Sequence, residues 1–210
     1  MKVISFVSQK GGSGKSTLAI SCAVVAGEQN QKVLILDMDP QKTSENWYQA
    51  RQGDTPQLAV VNHLNLESAV EGATSKGYDF LFIDTPGRDE PCIASVIKQS
   101  DFCLIPCRPT PNDMKATPPT VSTIKRLEKP FCFVLTQTPF RGLRIKEAET
   151  ALSIFGLVCP VKIVLRTSYQ DAQGCGLGVT EYEPSGKASE EIRLLWQWLE
   201  TKMEKMCDES

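Results

Sequence analysis

The chain has 210 residues, 41% of them apolar and 23% charged, with a formal net charge of −2 and a pI near 5.6. That balance excludes a disordered chain, and it excludes a protein that coats nucleic acid through its whole surface, which would be basic. No run of about 18 apolar residues is present to span a bilayer, and the single histidine, His63, cannot build a multi-histidine metal site.

Lys2-Val3-Ile4-Ser5-Phe6-Val7 predicts a buried strand, and Leu18 to Ala26 predicts a helix. Between them lies Lys10-Gly11-Gly12-Ser13-Gly14-Lys15-Ser16-Thr17. A strand, a glycine-rich turn and a helix in that order make a phosphate cradle. The glycines let backbone N–H groups turn inward without a Cβ clash, and the helix adds its positive end. In such a loop Lys15 reaches the β/γ-phosphates and Ser16 holds Mg²⁺, with Gly11 to Thr17 wrapping the phosphates. Where a standard P-loop opens with glycine this chain has Gln9, and a second lysine, Lys10, follows it. The strand starts so close to Met1 that neither a signal peptide nor a helix-turn-helix is expected ahead of it.

Val33 to Leu36 predicts a second buried strand, running into Asp37-Met38-Asp39-Pro40-Gln41, where Pro40 stops it. The two aspartates, two apart in extended chain, are expected to point the same way. Thr43 or Ser44 is expected to cap a helix holding Trp47 and Tyr48. A strand is predicted over Leu58 to Val61, a helix over Leu64 to Ser75 ending at Gly77, and a strand over Tyr78 to Ile83. The last runs into Asp84-Thr85-Pro86-Gly87, where an acid closing a strand can orient Mg²⁺ through its water shell.

Phe102 to Ile105 predicts a strand that empties into the proline-rich Pro106 to Pro111. A helix over Val121 to Leu127, a strand over Phe131 to Leu135, a helix over Ile145 to Phe155 and a strand over Val161 to Leu165 follow. The final helix, about Lys187 to Met206, places Ile192, Leu195, Trp196, Leu199, Met203 and Met206 at helical spacing. A membrane-seeking tail looks similar, but the acidic Cys207-Asp208-Glu209-Ser210 end favours docking on the sheet. Cysteines lie within apolar strands (Phe102-Cys103-Leu104, Phe131-Cys132-Phe133) and form no C-x-x-C pair, so reduced, mostly buried thiols are expected. The alternation implies one domain, 1–210, of α/β class: a P-loop NTPase with a mostly parallel twisted sheet of about seven strands and helices on both faces.

Lys-Gly-Gly-x-Gly-Lys-Ser, Asp37-x-Asp39-Pro40-Gln41, Asp84-Thr85-Pro86-Gly87 and the C-terminal pattern Arg166-Thr167-Ser168-Tyr169, Val179-Thr180-Glu181-Tyr182 and Lys187-Ala188 together resemble the ParA/MinD family of ATPases. The nearest type within it is the short ParA partition protein. That resemblance implies ATP and ADP as ligands with Mg²⁺, Asp39 as a hydrolytic residue and Asp37 in a supporting place near the metal with Ser16 and Asp84. It implies that Lys10 reaches ATP held by the partner subunit of a nucleotide-sandwich dimer; the residues alone leave open that Lys10 serves its own subunit. Pro109 and Asp113 fall where the family makes adenine and dimer contacts, and Thr136-Gln137 stands where relatives place an Asn for adenine. Arg166 and Lys187, extended by Arg141, Arg144 and Lys146, are the candidates for non-specific DNA contacts. A ParB-like partner, a cytoplasmic, nucleoid-associated place in a bacterium or archaeon, and no membrane complete the expectation. A MinD-like membrane-surface ATPase and a metabolic P-loop enzyme are the rival readings.

Overall fold

The computed structural model describes residues 1–87 and 90–208, side chains at 90, 91 and 206–208 apart. Its strands are β1 (Lys2–Phe6), β2 (Val33–Asp37), β3 (Gln57–Val60), β4 (Phe80–Asp84), β5 (Phe102–Cys107), β6 (Phe131–Leu135) and β7 (Leu157–Val158). Among the described residues they form one sheet in the order β3-β2-β4-β1-β5-β6-β7, parallel at every pairing. Parallel neighbours need crossovers, and helices supply them: α1 (Lys15–Glu28), α2 (Thr43–Ala50), α3 (Leu66–Ser75), α4 (Glu90–Gln99), α5 (Pro111–Lys115), α6 (Thr117–Arg126) and α7 (Leu143–Ser153). The chain closes with α8 (Thr167–Gly174), α9 (Val179–Tyr182) and α10 (Lys187–Asp208).

Strand side chains alternate between two apolar layers, as the period of two requires. Phe82, Leu104 and Val134 pack with α1, α9 and α10, while Leu81, Ile83, Ile105 and Phe133 pack with α3, α4, α6 and α7. Ile192, Leu195, Trp196 and Leu199 of α10 are fully buried, so the last helix docks on the fold as its spacing predicts. The side chains at 206–208, and residues 209 and 210 entirely, lie outside the described residues. No described helix is long and apolar enough to cross a membrane.

Several elements differ from expectation. Helix α4 falls where no element is predicted, although Cys92, Ile93, Val96 and Ile97 bury one helical face. Strand β5 continues through Pro106 to Cys107. Cys103 donates to Pro130 O, so odd-numbered amides point to β6 and the missing N–H of Pro106 faces β1, whose pairing has already ended at Phe6↔Leu104. Val161 to Leu165 is not a regular strand: pairing falls on Leu157–Val158, Pro160 interrupts it, and beyond lies one bridge, Thr138↔Val164. Neither Thr43 nor Ser44 caps α2. Its N-cap is Lys42 in the left-handed region, and Asp37 accepts from Glu45 N at 2.8 Å in their place. Among the described residues no disulfide forms, and every cysteine but Cys175 is buried.

One glycine fixes how the C-terminal segment meets the loop region. Gly176 has φ +69, and a Cβ there would lie 2.4 Å from Ala50 C and 2.5 Å from Arg51 N. Gly176→Ala is therefore expected to destabilise by ~2 kcal/mol or more in thermal melts. Gly72→Ala, in open space within α3, should instead stabilise by up to ~1 kcal/mol.

Candidate functional site

The carboxyl ends of β1, β2 and β4 meet at a cleft of about 660 Å³ lined by Gly11, Gly12, Gly14, Lys15, Ser16, Thr17, Asp39, Pro40, Gln41, Thr43, Pro86, Gly87 and Gln137. The loop after β1 holds its shape because Gly12 and Gly14 take φ +71 and +97. Ser13 is buried, and the Thr136 hydroxyl donates to Ser13 O at 2.7 Å, so Thr136 braces the loop from beneath. Gln137, in the left-handed region, donates from Nε2 to Gly12 O at 2.8 Å. The loop after β4 presses on the other side: a Cβ on Gly87 would lie 3.3 Å from both Gly11 Cα and Gly11 N.

Lys15 is only 5% exposed, with Nζ 3.4 Å from Lys10 O. Burial pulls its pKa down, against the opposing pull of Asp84 and Asp39. Asp37 and Asp84 are register partners at the ends of β2 and β4. Asp84 is fully buried, and its Oδ2 accepts from Ser44 Oγ at 2.8 Å. Ser16 and Lys15 lie close enough to draw its pKa down, while among the described residues its Oδ1 has no hydrogen-bond partner. An acceptor oxygen orphaned in a buried place, next to a lysine and the first serine of the helix, fits a bound cation. Ser13 Oγ is a second orphan, in the glycine cradle itself. These donors and acceptors fit a Mg²⁺–phosphate ligand.

Burial pushes the Asp84 carboxyl up to about 7, against the Ser16 and Ser44 bonds that lower it. The folded state thus holds a proton that the unfolded state gives up near 3.8. Stability carried by that proton is complete below the unfolded value and is lost as pH rises through about 7. Ligand-free protein is expected to melt at lower temperature at about pH 8 than at about pH 5, and Asp84→Asn should flatten that slope; equal slopes would refute the assignment.

Strand β2 ends at Asp37, and of the two aspartates only Asp39 lines the cleft, while Asp37 is the register partner of Asp84. Asp37 is 1% exposed, with Oδ1 accepting from Asp39 N at 2.9 Å and Oδ2 from Glu45 N at 2.8 Å. It ties the loop to α2, beneath the cleft, while Asp39 lines the cleft. Pro109 and Asp113 are buried and do not line the cleft. The Asp113 carboxylate accepts from Arg108 Nε at 2.9 Å and from the Thr110 hydroxyl, which closes the turn into α5 rather than facing a ligand.

The basic candidates divide. Arg166 is held by Glu191 and Lys187 by Glu190, at 2.6 and 2.8 Å. Arg141 and Arg144 are exposed and make no ion pair among the described residues, Arg141 lying 5.3 Å from the centre of the exposed Phe140 ring. Sequence reasoning also missed Ser44 as a site residue. A serine after the Asp-Pro-Gln turn carries no signal until the fold brings it to Asp84.

A glycine cradle with a buried lysine, facing an acid that ends a neighbouring parallel strand, defines a P-loop nucleotide-binding protein with an added lysine at the loop's opening. The family described as VirC1 protein matches residues 1–194, and the chain belongs to it, as a member of the ParA/MinD group of ATPases. It is 27% identical over 194 residues to maintenance of carboxysome distribution protein A of Halothiobacillus neapolitanus, covering 87% of this chain and 89% of that one. Protein virC1 of Rhizobium radiobacter is 30% identical over 120 residues, 54% of this chain and 52% of its own length. The fold is shared with the septum site-determining protein MinD from Pyrococcus horikoshii, complexed with Mg-ADP, at a TM-score of 0.76 and 17% identity over 94% of this chain and 95% of that one.

Proposed function

We propose that the chain is a ParA-type positioning ATPase that binds Mg-ATP in the cleft, closes a nucleotide-sandwich dimer, holds DNA without reading sequence, and lets go when a ParB-like partner stimulates hydrolysis. The observation that carries this reading is the unpartnered Asp84 Oδ1, buried beside Lys15 and Ser16 at the mouth of a glycine cradle. The Pyrococcus MinD complexed with Mg-ADP supports the ligand class.

Each residue's work follows from its chemistry. Backbone N–H groups of the cradle and the start of α1 meet phosphate oxygens. Lys15 supplies a desolvated charge against them. Ser16 and Asp84 hold the Mg²⁺, which when bound neutralises phosphate charge. Asp39, on the cleft wall, orients the attacking water, and Lys10 serves the nucleotide of the second subunit. Phosphoryl transfer asks the protein mainly for position and charge, which these residues provide. DNA is held by phosphate contacts from Arg141 and Arg144, from Lys187 after exchange of Glu190 for phosphate, and from Arg166 through Nη1, its Nε and Nη2 staying on Glu191. Such binding weakens steeply with salt.

The test is mass in solution and DNA retention, with and without Mg-ATP, in wild type and Asp39→Ala. The wild type should dimerise and bind DNA only with ATP, then release it. Asp39→Ala should hydrolyse at least ~100-fold more slowly and stay bound. If Asp39→Ala releases DNA as fast as wild type, the role given to Asp39 is wrong. Retention on anionic vesicles instead of DNA would overturn the DNA reading.

A further inference from the structure

A recess of about 100 Å³ opens beside the phosphate cleft, with Gly14, Thr17 and Gln137 lining both. A ligand with phosphates in the cradle therefore places its other end in this recess. Its far wall is the segment from Ile163 to Gln170. That segment sits at the sheet's edge, and backbone bonds hold its start: Ile163 N donates to Leu135 O, Thr138 N to Ile163 O and Leu165 N to Thr138 O. Among the described residues no backbone bond ties Arg166 or Tyr169 to the sheet, so pairing alone does not set how those two side chains line the recess.

One carboxylate gathers both of them, together with Val164 N. We propose that Glu191, on α10, is a positioning residue for the nucleoside end of the nucleotide; this rests on the nucleotide reading of the cleft. Glu191 Oε2 accepts from Val164 N at 3.2 Å, and it shares the single proton of the Tyr169 hydroxyl, 3.2 Å away, with Ala188 O at 3.3 Å. Its Oε1 accepts from Arg166 Nε at 3.1 Å and Nη2 at 2.6 Å. The Glu191 side chain is 15% exposed, so these bonds are poorly replaced by water. Donors from Val164, Arg166 and Tyr169, each a residue lining the recess, converge on a side chain that is all acceptor. The helix bearing it is anchored by Ile192 and Leu195 on its own turn, both fully buried. The wall is thus referenced to the core, and Arg166 is a strut of the recess. A binding wall set by a buckle of this kind reduces the ordering that a ligand must otherwise impose.

Glutamine at 191 keeps the shape but sets an NH₂ against donors that need an acceptor. The test measures affinity for Mg-ATP and for inorganic tripolyphosphate with Mg²⁺, which engages the cradle and leaves the recess empty. Glu191→Gln is expected to weaken ATP binding by about tenfold and leave tripolyphosphate unchanged. Arg166→Lys, which keeps the charge but loses the two-pronged contact, should show the same pattern at about threefold and serves if Glu191→Gln does not fold. Unchanged ATP affinity in a folded variant would overturn the assignment, as would equal loss for both ligands, which marks a general loosening. If the wild type binds neither ligand, the nucleotide reading itself fails.

Discussion

Lys15→Ala is expected to lower affinity for Mg-ATP by about a thousandfold while leaving the protein folded. A unit charge about 4 Å from a phosphate charge is worth roughly 4 kcal/mol at an effective dielectric of 20, and a thousandfold corresponds to about that energy. The burial of Lys15 sets the sign of the remaining effects. Its ammonium is desolvated, with Lys10 O at 3.4 Å its one hydrogen-bond partner among the described residues, so the unliganded protein carries the cost of burying it. Its removal relieves that cost and withdraws the charge that holds the Asp84 pKa down, moving that carboxyl further up from about 7. Lys15→Arg should not rescue binding, because a planar fork does not fit a cradle shaped around a point charge. Calorimetric titration with Mg-ATP, with thermal melts as the folding control, checks both variants. Binding by Lys15→Ala within about tenfold of wild type would remove the phosphate assignment.

How much of this was legible from residues alone depends on what each residue answers to. Strands β1, β2, β4 and β6 are buried on both faces, so they read as unbroken apolar runs, and the glycine spacing after β1 identifies the cradle without a fold. Val161 to Leu165 reads equally well as a strand, yet at the sheet's edge Pro160 and the short β7 decide where pairing falls. Helix α4 was hidden because a helix with apolar residues at 92, 93, 96 and 97 announces itself only over two turns. Electrostatic partnerships were the least legible. Arg166 looks like a surface cation until α10 folds back across 25 residues to bring Glu191 to it. What Asp37 holds is hidden until the loop returns Glu45 N to its second oxygen. A carboxylate's role is set by which donors reach it, and that is a property of the tertiary fold.

Lys10→Ala carries the other large expectation: ATP affinity of the monomer stays within about threefold of wild type, while the ATP-dependent dimer is lost and hydrolysis falls by about 10³-fold or more. The backbone of Lys10 is already committed. Its N–H donates to Ser8 Oγ at 3.2 Å, its carbonyl accepts from Lys15, and the next residue, Gly11, packs on Gly87. Removing the side chain beyond Cβ disturbs none of these contacts, so the cradle should keep its shape. The ammonium itself makes no ion pair among the described residues, and Lys15 already supplies the subunit's own phosphate charge. A second lysine serving the same subunit would show up as lost affinity in the monomer; one serving its neighbour would show up as lost association. Light scattering with Mg-ATP beside calorimetry on the same sample separates these outcomes. A Lys10→Ala protein that binds ATP poorly but still dimerises would assign the lysine to its own subunit and leave the nucleotide no part in joining the two.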